Sequence, residues 1–189
     1  MKCFAVFVFV FILSLRAFSQ NLPVDDATKK ISYQGIVVVD GATEKQLYDR
    51  ARSWFATKFR FPRDVVQMDD KEAGKIIARC ELRGPQNADS PQFWFMLRYS
   101  IIVVVRNGKY RYEITDFTQQ PDPYYDNRLP EEIGAEFLLD KDARNARGEL
   151  REKHQDYYKA LTSRATQVVN SLKDAMKQPV GTARLKEEF

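Results

Sequence analysis

The dipeptide Asn107-Gly108 constrains this chain more than any other feature. It stands between two long runs, residues 93–106 and 109–117, rich in Ile, Val, Phe and Tyr. Asn-Gly readily adopts positive φ at both central positions of a two-residue turn, whose twist matches that of paired strands, so the segment reads as a β-hairpin. The register follows from the turn. With Arg106 opposite Lys109, one side of the ladder pairs Val105 with Tyr110, Val103 with Tyr112 and Ile101 with Ile114. The other side pairs Val104 with Arg111, Ile102 with Glu113 and Ser100 with Thr115. The first side is apolar and the second mixed, so the sheet has one buried face that other elements must cover.

Those elements are legible. Residues 21–30 are polar, contain Pro23 and read as a flexible lead-in (20–30). Residues 31–39 form a first strand, rich in Val and Ile, that ends at the Asp40-Gly41 turn. Thr43 then opens a helix as its cap, with Gln46 as the capping-box partner and Glu44 favoured at the positive helix end. Leu47, Tyr48, Ala51, Trp54, Phe55 and Phe59 recur at helical spacing as one apolar stripe. Pro62 is expected to end the helical run, and residues 65–68 to form a short strand before the acidic loop Asp69, Asp70, Lys71, Glu72. From Gly74 the pattern alternates, with Ile76, Ala78, Cys80 and Leu82 on one side. Residues 84–91, with two prolines, read as a polar loop, and 119–148 as a long connection of the kind that often forms lids or binding loops. A final helix is expected over 149–178, with Leu150, His154, Tyr157, Leu161, Ala165, Val168, Val169, Leu172 and Met176 on one stripe. At about 1.5 Å per residue it reaches roughly 40 Å, enough to cross the sheet. Pro179 ends it and 179–189 reads as a flexible tail.

The first 19 residues read as an address. Lys2 precedes an apolar run over residues 4–13, and Ala17 and Ser19 are small residues at the third and first positions before a cut. This is the pattern of a secretory signal peptide cleaved after Ser19, which implies a periplasmic or secreted protein. The run is too short to span a membrane, which takes about 20 residues, and no second hydrophobic anchor follows. Removing the signal takes Lys2, Cys3 and Arg16 with it and leaves Cys80 as the only cysteine, so no internal disulfide is available. Residues 31–178 then form one domain.

Composition excludes several function classes. The 30 Lys+Arg against 26 Asp+Glu give a net charge of +4, too little for a dedicated nucleic-acid binder. Two cysteines and one histidine exclude a zinc-finger array and any site built from several imidazoles. No phosphate loop, dinucleotide fingerprint or nucleophile elbow is present.

Three stretches carry a resemblance: residues 35–41 followed by the Thr43 helix with Trp54-Phe55; Asp69-Asp70-Lys71-Glu72-Ala73-Gly74-Lys75-Ile76-Ile77; and Gly108-Lys109-Tyr110-Arg111-Tyr112-Glu113-Ile114-Thr115-Asp116-Phe117. Over residues 31–117 the chain resembles an uncharacterised family of secreted bacterial proteins, a domain of unknown function with a TBP-like fold. The resemblance implies an α+β fold of order β-α-β4-α: a curved antiparallel sheet covered on one face by two helices, the C-terminal one long. It carries over no catalytic residue. In the eukaryotic namesake a comparable sheet face sits on DNA, but fold does not carry function and a signal peptide leads away from the genome.

Three groups of residues have side chains suited to chemistry or binding. Asp69, Asp70 and Glu72 have carboxylates for a hard cation but lack calcium-loop spacing, and a solvated turn is the stronger reading. Cys80 with His154 has the residue types of a thiol nucleophile and base, yet Cys80 alternates in phase with core positions. The face opposite the core is more informative. Lys75, Arg79, Arg98, Arg106, Lys109 and Arg111 project there against Glu81 and Glu113, with Trp94, Met96, Ile77, Ile102 and Val104 among them. Apolar area rimmed by charge marks interfaces, whereas cross-strand ion pairs alone make an ordinary solvated face. The leading expectation is a non-enzymatic binding module that uses Lys75, Arg79, Trp94, Arg98, Arg106, Lys109 and Arg111 to meet a protein or envelope component, with no cofactor, metal or nucleic acid. The alternative is an apolar-ligand carrier or hydrolase with a cavity between sheet and long helix, drawing on Tyr99, Tyr110, Tyr112, Tyr157 or His154.

Overall fold

The computed structural model describes residues 21–59, 61–87, 90–121 and 132–178, with the side chains of 84–87, 90–94 and 121 outside that set. The segment expected to be a signal peptide, its expected cleavage point and residues 179–189, expected to be a tail, also lie outside it. Strand β1 (Tyr33–Val38) leads into helix α1 (Glu44–Lys58), a one-turn helix α2 (Pro62–Val65) and strand β2 (Val66–Asp70). Strands β3 (Lys75–Asn87), β4 (Ser90–Arg106) and β5 (Lys109–Pro121) follow, then the two-residue β6 (Ile133–Gly134), two 3₁₀ turns (Ala135–Leu139 and Lys141–Ala143) and helix α3 (Glu152–Lys177). The sheet is antiparallel in the order β1-β5-β4-β3-β2, with β6 also on β5.

The hairpin has the register that the Asn-Gly turn dictates: Arg106 faces Lys109, Val103 faces Tyr112 and Ser100 faces Thr115. Beyond Ser100 the ladder shifts. Asp116 and Phe117 together oppose Tyr99, and Asp116 has φ +53°. This bulge flips the parity of β5, so that Phe117 turns into the core beside Tyr99 where strict alternation would have placed Asp116. Asp116 instead meets Lys30 at 2.5 Å.

The core lies between one sheet face and helices α1 and α3. Thr43 caps α1 with both hydrogen bonds of the capping box, and Leu47, Tyr48, Ala51, Trp54 and Phe55 are buried. Tyr157, Leu161, Ala165, Val168, Leu172 and Met176 of α3 bury the matching stripe. The two helices are stitched at their ends: Arg50 Nη1 donates to the Met176 carbonyl at 2.8 Å, and Trp54 Nε1 donates to Ser171 Oγ at 3.3 Å. Gly74 has φ +58°, and a Cβ there would lie 2.9 Å from the Val105 carbonyl oxygen, so the β2–β3 turn requires glycine.

Four expectations need correction. Pro62 does not end a helix but starts α2, where its missing N–H has no intrahelical acceptor to lose. Residues 84–87 and 90–91 belong to strands rather than to a loop, because β3 runs to Asn87 and β4 begins at Ser90. Both prolines are tolerated there since the pairing of β2 with β3 stops at Ala78 and that of β5 with β4 stops at Phe95, so that among the described residues β3 and β4 pair only with each other at this end. The connection 119–148 is built rather than irregular where described: it holds the end of β5, β6, both 3₁₀ turns and the bridge Arg144–Leu150, and it buries Ala135, Leu138 and Ala143. Residues 21–30 carry a hydrogen-bonded turn, in which Asp25 N donates to the Lys30 carbonyl at 2.9 Å, a bridge Val24–Ile31, and a buried Leu22. Among the described residues no helix is long and apolar enough to cross a membrane.

Candidate functional site: the open face of the sheet

Because the helices occupy one face, the alternate residues of every strand project from the other in rows fixed by the register. One row runs Met68, Ile77, Ile102, Glu113, Gln34 across five strands, and the next runs Asp70, Lys75, Val104, Arg111, Ile36. Arg106, Lys109 and Val38 close this end of the sheet. An apolar band thus crosses the face through Met68, Ile77, Ile102 and Val104 and reappears at the β1 edge. There Ile36 is 69% exposed and Val38 67%, the most exposed large apolar side chains among the described residues.

The basic residues split into two groups. Arg79 and Arg98 sit at the far end of the face and are held internally: Arg79 pairs with Glu132 at 2.9 Å, while Arg98 reaches Glu81 at 3.3 Å and Glu132 at 3.7 Å. Glu132 also accepts the Thr118 hydroxyl at 2.5 Å. That hydrogen bond, with the two guanidinium groups, holds its carboxyl below the usual glutamate range. Glu132 precedes β6 and clips it to the sheet, a role that a lone acidic residue in an irregular-looking stretch does not announce. Arg111 is shared by Glu113 at 2.8 Å and Gln34 at 3.1 Å, and Arg106 bonds the Ala73 and Val105 carbonyls and lies 3.5 Å from Glu44. Lys75 and Lys109 have no ion-pair partner within 4.0 Å among the described residues. Trp94 stands opposite Pro85 on β4, and its side chain is outside the described set. The predicted residues other than Trp94 therefore share one face, but the four arginines among them are structural ties as well as surface charges.

The candidates for chemistry are dispersed. Cys80 is buried beside Tyr99 and Arg164, and burial pushes its thiol up to about 12, so it is protonated at neutral pH. His154 lies against Phe137, and burial followed by Lys153 and Arg151 lowers its pKa. It sits ten residues before Arg164 on α3, roughly 15 Å along the axis at about 1.5 Å per residue, so it is not the base of Cys80. Tyr99 accepts a hydrogen bond from Arg164 Nε at 2.7 Å, and its hydroxyl is raised to about 12 by burial. The Tyr110 and Tyr157 hydroxyls are buried without a hydrogen-bond partner among the described residues.

Asp69 belongs to β2 and faces α1, accepting the Tyr48 hydroxyl and Arg52 Nε, while Asp70 accepts the Ala73 N–H at 2.8 Å in the following turn. No group of three metal-ligating side chains occurs among the described residues. A groove of about 350 Å³ does lie between β1 and α3, lined by Tyr33, Tyr112, Thr166, Val169 and Asn170 with Pro23, Val24, Ser32 and Gln34. Of the tyrosines expected around a cavity it gathers only Tyr112.

Two solved structures share this architecture. A TBP-like protein from Parabacteroides distasonis is 14% identical with a TM-score of 0.66, and 84% of this chain matches 98% of that one. A DUF4468 family protein from Bacteroides ovatus is 17% identical with a TM-score of 0.67, covering 84% of this chain and 91% of that one. No functionally curated protein matches the sequence. Residues 33–120, which span β1 to near the end of β5, match the family model of DUF4468, a domain of unknown function with a TBP-like fold.

Proposed function

We propose that this is an exported, non-enzymatic binding module that holds a protein partner of the cell envelope on the open face of its sheet. The observation that carries the reading is the band Met68, Ile77, Ile102 and Val104, left uncovered by the helices and bordered by Lys75 and Lys109, which have no ion-pair partner among the described residues. Apolar area rimmed by charge is the composition of a contact surface, and the two lysines favour a partner with carboxylates beside its apolar contact. The signal-like residues 1–19 support an envelope address.

The informative variants leave the structural arginines alone. Met68→Glu with Ile77→Glu is expected to keep the melting temperature within a few degrees while abolishing retention of the partner that immobilised wild-type protein draws from an envelope extract. Lys75→Glu with Lys109→Glu is expected to weaken that retention and its salt sensitivity. Equal retention by all three proteins would overturn the reading.

A further inference from the structure

We propose that the free edge of β1 pairs with β1 of a second copy of this chain, antiparallel about Ile36, to make one continuous sheet across a two-fold axis. The backbone directions carry the argument. Ile31 N–H points to Glu136 and Val39 N–H to the Gly108 carbonyl, both on the β5 side, whereas Ser32 N–H points the other way to the Pro23 carbonyl. Successive residues of a strand alternate, so the N–H and C=O groups of Gln34, Ile36 and Val38 all face away from β5. None of them has a partner among the described residues. Among the described residues the lead-in meets this side of the strand only through the Val24–Ile31 bridge and the Ser32–Pro23 hydrogen bond.

The two edges of the sheet are treated differently. On β2 the ladder is broken by a bulge between Val66 and Met68, and the strand ends in Asp69 and Asp70, the devices that stop strand addition. On β1 residues 33–39 contain no charge, proline or bulge. An unguarded edge needs a cover, and an identical strand in antiparallel orientation is self-complementary. With Ile36 on the axis, Gln34 of each copy faces Val38 of the other, and the exposed Ile36 and Val38 meet across it.

Charge fits the same register. Asp25 accepts from Gln34 Nε2 at 2.9 Å and so holds its carboxylate beside Gln34 at the free edge. Lys109, which has no ion-pair partner among the described residues, neighbours Val38. Strands are about 5 Å apart, so pairing Gln34 with Val38 brings each Asp25 to the Lys109 of the other copy. The mate thus supplies a counter-charge to Lys109.

Sedimentation of the purified protein over a wide concentration range tests this. Wild type is expected to show a reversible dimer, and the amides of Gln34, Ile36 and Val38 to exchange more slowly as it forms. Ile36→Lys places two like charges opposite each other and is expected to raise the dissociation constant about tenfold or more. Ile36→Pro removes only an outward-pointing N–H and is expected to do the same with an unchanged fold. Should either variant fail to fold, Lys109→Glu is expected to weaken the dimer and invert its salt dependence. A wild type that stays monomeric throughout, or a dimer that survives these variants, would overturn the proposal. Met68→Glu with Ile77→Glu leaves the edge untouched and is expected to dimerise normally, so failure here and failure of the binding-face reading are distinguishable.

Discussion

At the residue scale, one glycine shows how little freedom the chain has at its tight points. Gly74 is buried in the β2–β3 turn with φ +58°, and its carbonyl accepts the Val105 N–H at 2.8 Å. A side chain there meets both left-handed backbone strain and the Val105 carbonyl, so Gly74→Ala is expected to cost about 1–3 kcal/mol, read as a lower urea midpoint with an unchanged slope. An unaltered midpoint would show that the turn relaxes freely. Gly35 is a different case: its missing side chain makes room for Tyr112, whose hydroxyl would lie 2.8 Å from a Cβ at that position. The Thr43 cap was readable because its partner Gln46 stands at the required spacing. Glu132 was not readable, because its meaning comes from Arg79, Arg98 and Thr118, which are distant in sequence and converge only in the folded sheet.

At the scale of elements, the β4–β5 hairpin could be paired residue by residue from sequence because Asn-Gly fixes the register and the apolar set confirms the face. The bulge at Asp116 was not visible, since Thr115-Asp116-Phe117 fits unbroken alternation equally well until Phe117 must be buried. Its energetics are testable. Asp116→Gly is expected to leave the fold near neutral, whereas Asp116→Val places a branched side chain in left-handed backbone and is expected to cost about 1–2 kcal/mol by thermal melting. Equal stabilities would argue that β5 can straighten. The prolines misled for a related reason: proline signals a break only where its N–H is needed, and at this end of β3 and β4 each strand has, among the described residues, a neighbour on one side only. The short β6 and the 3₁₀ turns lack enough residues to show a period at all.

At the scale of the whole molecule, the layer architecture was legible because two strong helical stripes and one amphipathic ladder admit few arrangements. The open face was legible as a face, but its division into structural arginines and available lysines depended on which carboxylates the fold brings near. That division has a pH signature. Glu132 is held below the ordinary glutamate pKa by the Thr118 hydroxyl and then by Arg79 and Arg98. Its contribution is therefore complete above the ordinary value and fades as pH falls through the lowered one. Wild type is expected to lose more stability than Glu132→Gln between neutral pH and acid, as followed by urea unfolding at several pH values. Parallel curves would mean that the clip on β6 carries no linked proton.

The strand order also sets a timetable. β1 is made first, yet its neighbour in the sheet is β5, so Tyr33 waits for Ile114 while the ribosome produces α1 and three further strands. The β4–β5 hairpin closes around its own two-residue turn and has no such wait, which makes it the natural template. The uncharged segment 33–39 is consequently the strand that waits longest for its neighbour and the one a holding chaperone would have to shield during synthesis.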